Sequence, residues 1–263
     1  AALMDYFDDS YTDSTLKLSG GDNWIPSPWY NSQTAELNSA VQSVYESYFG
    51  LEAGSLSGLT VTPGVIDQAI LNVLGIQAST LGNHEFDKGP DDIARIIEFS
   101  ADNGDDSVFE TNESSSLGSF FPYITSNLDF SSSSDLNDSF TSDLNDVSTY
   151  GVVAEDLSSS ASIENLLPAT SDKIAPYATV EINGETIGLV GATTQLLDSI
   201  SSPGDVSVIG ASDNDLDLLA SQVQARVDEL TSGGINKVIL IAHLQDFTKE
   251  SELASKLSGV DII

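Results

Sequence analysis

Residues 75–99 decide the fold class, and they read Gly75-Ile-Gln-Ala-Ser-Thr-Leu81, Gly82-Asn-His-Glu-Phe-Asp-Lys-Gly89 and Pro90-Asp-Asp-Ile-Ala-Arg-Ile-Ile-Glu-Phe99 in succession. The first segment is short and mostly apolar, as in a buried strand. The third opens with proline and acids, which favour a helix N-terminus, and then has apolar residues at helical spacing. This order of strand, polar loop and helix predicts an α/β fold with a functional loop at the end of a strand.

Strands and helices alternate through the rest of the chain. Asn183-Gly184 between two alternating runs predicts a β-hairpin, because this dipeptide favours the turn that fits strand twist. Lys237-Val-Ile-Leu-Ile-Ala242 is mainly apolar, which is typical of a parallel strand covered on both faces. Thr62 and Pro63 suit the N-cap and first position of a helix that runs to residue 74. The other predicted elements are strands over 15–20 and 260–263, and helices over 36–49, 216–230 and 247–257.

The segment 101–171 differs from the rest in composition. It is rich in Ser, Asp and Asn, with runs such as Ser131-Ser-Ser-Ser134. Residues 120–128 interrupt it with the apolar density of a core strand. We interpret the segment as acidic, Ser-rich surface insertions around that strand, within one domain that covers residues 1–263.

The charge balance excludes two classes of partner. The chain has 8 Lys and Arg against 41 Asp and Glu, a net charge of −33. Such a surface repels nucleic acid and anionic lipid, because phosphate contacts need clustered basic residues. No apolar run approaches the roughly 20 residues that span a bilayer. We therefore expect a soluble protein with no nucleic-acid partner and no membrane insertion.

Two explanations of the acidity are open. Excess negative charge keeps proteins soluble in halophilic or marine surroundings, whereas clustered carboxylates also form calcium sites. Asp135-Leu-Asn-Asp138 and Asp213-Asn-Asp-Leu-Asp217 alternate oxygen ligands, but both lack the glycine and distal glutamate of an EF-hand loop. General adaptation to salt is favoured. The absence of cysteine leaves no disulfide or cysteine nucleophile to consider.

Side chains that commonly bind metals follow three of the predicted strands. Asp22 follows the first strand, Asn83 and His84 follow the strand of the opening segment, and His243 follows the apolar strand near the end. Ligands bind beyond the carboxyl ends of strands in α/β sheets, so we expect these residues to converge. A lone Gly-Asp turn or a strand-end histidine is usually structural. By contrast, a purely structural loop does not need an imidazole between an amide and two acids.

These segments resemble the calcineurin-like metallophosphoesterases, in the form carried by the 5'-nucleotidase branch. Gly82-Asn-His-Glu-Phe-Asp87 is similar to the central signature of that family. Leu18-Ser-Gly-Gly-Asp22 resembles its strand-Gly-Asp motif, and Phe121-Pro-Tyr-Ile-Thr-Ser-Asn127 resembles its Phe-Pro strand. Ile241-Ala-His-Leu244 and Gly259-Val-Asp-Ile-Ile263 resemble its late histidine motif and the strand after it. The resemblance implies a layered α/β/β/α sandwich.

The resemblance also implies a dinuclear centre that hydrolyses phosphate esters. The aspartate of the Gly-Asp motif bridges two divalent cations in the family, which carries over to Asp22. The amide oxygen of Asn83 and the imidazole of His243 would ligate one of these cations. Two such cations supply a nucleophilic hydroxide and neutralise the phosphoryl oxygens. The mixed oxygen and nitrogen ligands suit Zn, Mn, Fe or Co.

His84 has a different role in the family scheme. It faces the substrate, where it stabilises phosphoryl charge or protonates the leaving oxygen. Asp87 orients this imidazole and raises its pKa. Gly21 and Gly82 let the two loops turn tightly, and Glu85 supports its loop by hydrogen bonding.

Two motifs of the family are absent from the chain. The opening strand should carry Asp-x-His and the end of the domain Gly-His-x-His, but His84 and His243 are the only histidines. We therefore interpret the chain as a catalytic domain truncated at both ends, with ligands mainly for one cation. This interpretation predicts that the chain alone is inactive or barely active.

Substrate, metal identity and oligomeric state are not readable from the sequence. A small phosphate ester is expected, with nucleotides among the candidates. Members of the branch are mostly exported, so we expect a periplasmic or extracellular bacterial location, although no signal peptide is visible. The alternatives are a non-catalytic metal-binding relative and an acidic surface or adhesion module. The His84 and Asp87 pair argues against both, because a binder needs no acid-base pair.

Overall fold

The computed structural model describes residues 10, 14–99, 116–154, 166–168, 170–211 and 215–263. The helices are α1 (Ala35–Phe49), α2 (Val65–Leu74), α3 (Pro90–Ile97), α4 (Leu197–Ile200), α5 (Leu216–Ser232) and α6 (Phe247–Lys256). The strands are β1 (Leu18–Ser19), β2 (Ala78–Thr80), β3 (Tyr123–Ile124), β4 (Leu128–Asp129), β5 (Val152–Ala154), β6 (Leu166–Pro168), β7 (Ile174–Ala175), β8 (Tyr177–Ile182), β9 (Glu185–Thr193), β10 (Ser207–Val208) and β11 (Val238–His243).

Two sheets form the centre of the molecule. The first has the strand order β1-β2-β3-β7 and is parallel throughout. The second has the order β11-β9-β8, in which β11 runs parallel to β9 and the β8–β9 hairpin is antiparallel. The pairs β10-β4 and β5-β6 are antiparallel. This mixture of parallel strands and one hairpin confirms the predicted α/β class.

The two sheets pack face to face, and helices cover their outer faces. Side chains from both sheets, including Ala78 and Ile124 from the first and Leu189 and Ile241 from the second, form one buried cluster. Helix α3 packs on the outer face of the first sheet, and α5 and α6 pack on the second. The layers therefore follow the predicted order α/β/β/α.

Strand β9 shows how closely the sheets approach. Leu189 lies in the cluster between the sheets, whereas Val190 packs with α5, as the twofold alternation of a strand requires. At Gly191, a Cβ atom would overlap the carbonyl oxygen of Ile124 in the first sheet. The Gly191 carbonyl instead accepts from the backbone N–H of Ser126 at 2.9 Å. Glycine thus allows the backbone contact that fixes one sheet against the other.

The start of α2 differs from the prediction. The helix begins at Val65, with Gly64 at the N-cap (φ 79°), so Thr62 and Pro63 precede it. The reason is a tertiary contact: the Arg95 guanidinium donates to Thr62 Oγ1 at 2.6 Å and to the Pro63 carbonyl at 2.8 Å. Thr62 is therefore occupied by α3 and does not cap α2.

The other predicted elements are present with small changes of boundary. The turn at Asn183 and Gly184 joins β8 and β9 as expected. The apolar stretch 120–128 forms two short strands, β3 and β4, and the final predicted strand is a single parallel bridge between Ile239 and Ile262. Much of the predicted insertion segment, residues 100–115, 155–165 and 169, lies outside the described residues. Within the described part of the chain, no helix is both long enough and apolar enough to cross a membrane.

Candidate functional site

The predicted site residues lie at the carboxyl ends of three strands. Asp22 follows β1, Asn83 and His84 follow β2, and His243 is the last residue of β11. Strands β1 and β2 are parallel neighbours in the first sheet, whereas β11 belongs to the second. The face-to-face packing of the sheets brings the three strand ends together.

Two glycines let the loops after β1 and β2 touch. Gly21 has φ +88°, and a Cβ atom there would lie 2.6 Å from the backbone nitrogen of Gly82. A Cβ atom on Gly82 would overlap the carboxylate of Asp22. The structure therefore gives both predicted glycines a steric reason: any side chain would separate the loops.

Glu85 holds the same two loops together. It is fully buried, and its carboxylate accepts from the backbone N–H groups of Asp22 at 3.0 Å, Asn23 at 2.5 Å and Gly82 at 2.7 Å. Burial raises its pKa to about 7, against the lowering effect of these three donors. Glu85 thus accepts hydrogen bonds from both loops, and its predicted role as a supporting residue stays a prediction.

Three potential ligand atoms converge above the strand ends. His243 Nε2 lies 3.3 Å from Asp22 Oδ2 and 3.3 Å from Asn83 Oδ1. His243 Nδ1 lies 2.6 Å from the carbonyl oxygen of Gly20, which can only accept, so Nδ1 carries a proton. In the neutral ring, Nε2 then keeps its lone pair. A histidine that donates from Nδ1 to a carbonyl in this way is typical of metal sites.

The contacts within this cluster lower the pKa of Asp22 and raise the pKa of His243. Partial burial raises the pKa of Asp22, but hydrogen bonds from His243 and the His84 backbone outweigh it and hold that pKa below its usual value. Burial lowers the pKa of His243, but its contacts with Asp22 and Gly20 outweigh burial and raise that pKa above its usual value. Asp22 is therefore ionised across the physiological range of pH.

His84 and Asp87 form a second pair beside the cluster. His84 Nδ1 lies 2.6 Å from Asp87 Oδ2, and this hydrogen bond raises the pKa of His84 above its usual value. The other carboxylate oxygen of Asp87 accepts from Ser201 Oγ at 3.0 Å. The backbone N–H of His84 donates to Asp22 Oδ1 at 2.9 Å, which links the pair to the cluster. His84 keeps 35% of its side chain exposed, so Nε2 is available to a ligand.

The chemistry of the three atoms fits one divalent cation. A carboxylate, an amide oxygen and an imidazole nitrogen are accepted ligands of Zn, Mn, Fe and Co. Within the described residues, no group of three His, Cys, Asp or Glu side chains is placed to hold a metal. The third side chain here is the amide of Asn83. One carboxylate, one imidazole and one amide, those of Asp22, His243 and Asn83, could hold one cation.

Sequence reasoning missed three contributors to the site. The carbonyl of Gly20 orients His243, and Ser201 orients Asp87. Gln245 has its side-chain amide nitrogen against Asn83 Oδ1 and 3.2 Å from His243 Nε2. Gln245 follows β11 by two residues, so its position at a strand end was a usable signal. The contacts of Gly20 and Ser201 depend on tertiary packing and had no such signal.

Known proteins with similar sequences act on nucleotides, according to their names. A trifunctional nucleotide phosphoesterase protein, YfkN, of Bacillus subtilis is 28% identical over 203 residues, which is 76% of this chain and 12% of the relative. A 5'-nucleotidase of the ray Diplobatis ommata is 25% identical over 193 residues, or 73% of this chain and 23% of the relative. The chain is thus similar in sequence to a nucleotide phosphoesterase and to 5'-nucleotidases. This confirms the resemblance drawn from the motifs, although no family model matches.

The fold of the chain is also found in solved structures. A 5'-nucleotidase precursor from Thermus thermophilus covers 99% of the chain with a TM-score of 0.57 at 23% identity. The NAD nucleotidase of Haemophilus influenzae covers 99% with a TM-score of 0.53 at 21% identity. The chain spans 34% and 30% of those two structures. At this identity the likeness establishes the fold alone, and it confirms the predicted sandwich.

Proposed function

We propose that the site takes part in metal-dependent hydrolysis of phosphate esters. The observation that carries the proposal is the convergence of Asp22, Asn83 and His243 beside the hydrogen-bonded pair of His84 and Asp87. A bound divalent cation supplies positive charge that neutralises phosphoryl oxygens. This chain needs such charge, because its net charge of −33 otherwise repels an anionic substrate.

His84 is the acid of the proposed reaction. Its Nδ1 proton is held by Asp87, and the raised pKa keeps the ring protonated to higher pH. The ring can then give a proton from Nε2 to the leaving oxygen. Ser201 fixes the carboxylate of Asp87 from the other side, so the imidazole has a defined orientation.

We further propose a nucleotide as the substrate and two divalent cations as the complete cofactor. The names of the relatives from Bacillus and Diplobatis support the substrate class. The described residues provide one ligand set, so the 263-residue chain should turn over more slowly than a form with a second set. Oxygen and nitrogen ligands suit Zn, Mn, Fe or Co. A periplasmic or extracellular location is part of the proposal, because members of the branch that the motifs resemble are mostly exported.

The experiment compares wild type and His84→Ala in the complete product of the gene that encodes this chain. Hydrolysis of AMP and of an aryl phosphate is measured with added Mn²⁺ or Zn²⁺, and bound cation is measured in parallel. The proposal predicts cation-dependent turnover that falls at least about a hundredfold in the variant, since general acids contribute roughly 10²–10⁴-fold, while the bound cation is retained. Bound cation without turnover in either protein would favour the binding-module alternative.

A further inference from the structure

Gln245 has an unusual backbone conformation directly beside the proposed cation site. Its φ is +65°, and among the described residues only Asp22 and Asn183 share a positive φ without being glycine. Asn183 belongs to the hairpin turn, where this conformation is common. Glutamine gains nothing comparable from its own side chain, so the conformation must be held by its surroundings.

The side-chain amide of Gln245 contacts two of the three proposed ligand atoms. Its nitrogen donates to Asn83 Oδ1 and lies 3.2 Å from His243 Nε2. The amide nitrogen thus lies against both ligand atoms, in the space that a cation bound to them would take.

We propose that Gln245 is a built-in competitor for the cation, which sets the affinity of the site. A cation and the amide nitrogen cannot occupy the same space, so binding requires the Gln245 side chain to leave. The inference rests on the proposed cation site formed with Asp22.

The structure offers the displaced side chain a place to go. A cavity of about 180 Å³ is lined by Gln245 itself, with Thr194, Leu216 and Lys249 among its other walls. In the proposal, rotation of the side chain moves the amide from the ligand atoms into this cavity.

The test is the affinity for Mn²⁺ and for Zn²⁺ alone, measured by calorimetry on wild type, Gln245→Ala and Gln245→Asn. Alanine keeps the strain of a positive φ, and asparagine tolerates it but is one methylene shorter. Both should bind the cation roughly two- to tenfold more tightly, because the hydrogen bond from Gln245 to Asn83 no longer has to be broken. The matched control is Gln195→Ala: Gln195 lines the same cavity but donates to the carbonyls of Gly210 and Asp215, so its loss should leave the affinity unchanged.

Three other outcomes of the affinity measurements would count against the inference. Weaker binding in both Gln245 variants would mean that the residue serves as a ligand through Oε1, and unchanged binding would mean that the amide does not compete. Either result overturns the inference and leaves the cation site intact. If neither wild type nor any variant binds a cation, while far-ultraviolet circular dichroism shows native folding, the proposed site and this inference both fail.

Discussion

Replacing Glu85 by glutamine should destabilise the protein by a predictable amount. Oε2 of Glu85 accepts from Asp22 and Gly82, and Oε1 accepts from Asn23. Glutamine offers one oxygen, so its best rotamer keeps the two bonds at the Oε2 position. Its amide NH₂ then faces the N–H of Asn23, donor against donor. A buried N–H without an acceptor costs about 1–3 kcal/mol, so the free energy of unfolding should fall by about 1–2 kcal/mol relative to wild type in which the Glu85 carboxyl is neutral, since the second oxygen of a neutral carboxyl can still accept from Asn23.

The assay is urea denaturation at pH 5, below the Glu85 pKa of about 7, in metal-free buffer; above pH 7 the buried charge lowers the stability of wild type and would offset the loss. Glu46→Gln is the matched control, because Glu46 is also buried and accepts from two backbone N–H groups, those of Gly54 and Leu56. Both bonds end on the same oxygen, Oε1, so glutamine can keep both. The control should change stability by less than about 0.5 kcal/mol.

Two results would refute this reasoning. If Glu85→Gln unfolds at the same urea concentration as wild type, the three backbone bonds do not hold the loops. If Glu46→Gln is equally destabilised, loss of a buried carboxylate as such is responsible, and the division of bonds between two oxygens is irrelevant. The slope of the denaturation curve should be the same in all three proteins, since the surface exposed on unfolding is unchanged.

Two further predictions concern pH. Buried Lys173 donates to the carbonyls of Ser119 and Tyr150, and burial lowers its pKa from 10.5 to about 8. Between pH 8 and 10.5 the unfolded chain then holds more protons than the folded chain, so the stability of wild type should rise with pH relative to that of Lys173→Met. Paired urea titrations should show a gain on the order of 3 kcal/mol over this range. Equal pH dependence in the two proteins would contradict this. Asp87→Asn removes the main cause of the raised pKa of His84, so the alkaline limb of the pH-rate profile should move to lower pH, and an unmoved limb would exclude His84 as the acid.

The sequence predicted the elements whose signals are local. Apolar spacing was enough for α1, α5 and β11, and the Asn183 turn was enough for the β8–β9 hairpin. The start of α2 was wrong, because Arg95 of α3 binds Thr62 and that contact exists only after the helices pack. Local rules describe what a segment prefers in isolation, and tertiary contacts override them.

The same division applies to the site. The rule that ligands lie beyond strand ends placed Asp22, Asn83 and His243 in one region, and the structure brings them within hydrogen-bonding distance. The strand-end rule also places Gln245, two residues after β11, near the site, but its contact with Asn83, 162 residues away in the chain, was not predictable from the sequence. Only the packing distance between the two sheets, which depends on residues such as Gly191, decides that they touch.

Cation binding tests the account most directly, because every proposed role depends on it. Mn²⁺ binding to the 263-residue chain is measured by calorimetry for wild type, Asp22→Asn and Asp217→Asn. Both substitutions remove one negative charge, but Asp217 is exposed and pairs with Lys256 away from the site. The account predicts one specific cation per chain, lost in Asp22→Asn and retained in Asp217→Asn. Equal binding in all three proteins would show that cations associate with the acidic surface in general, and would contradict the proposed site.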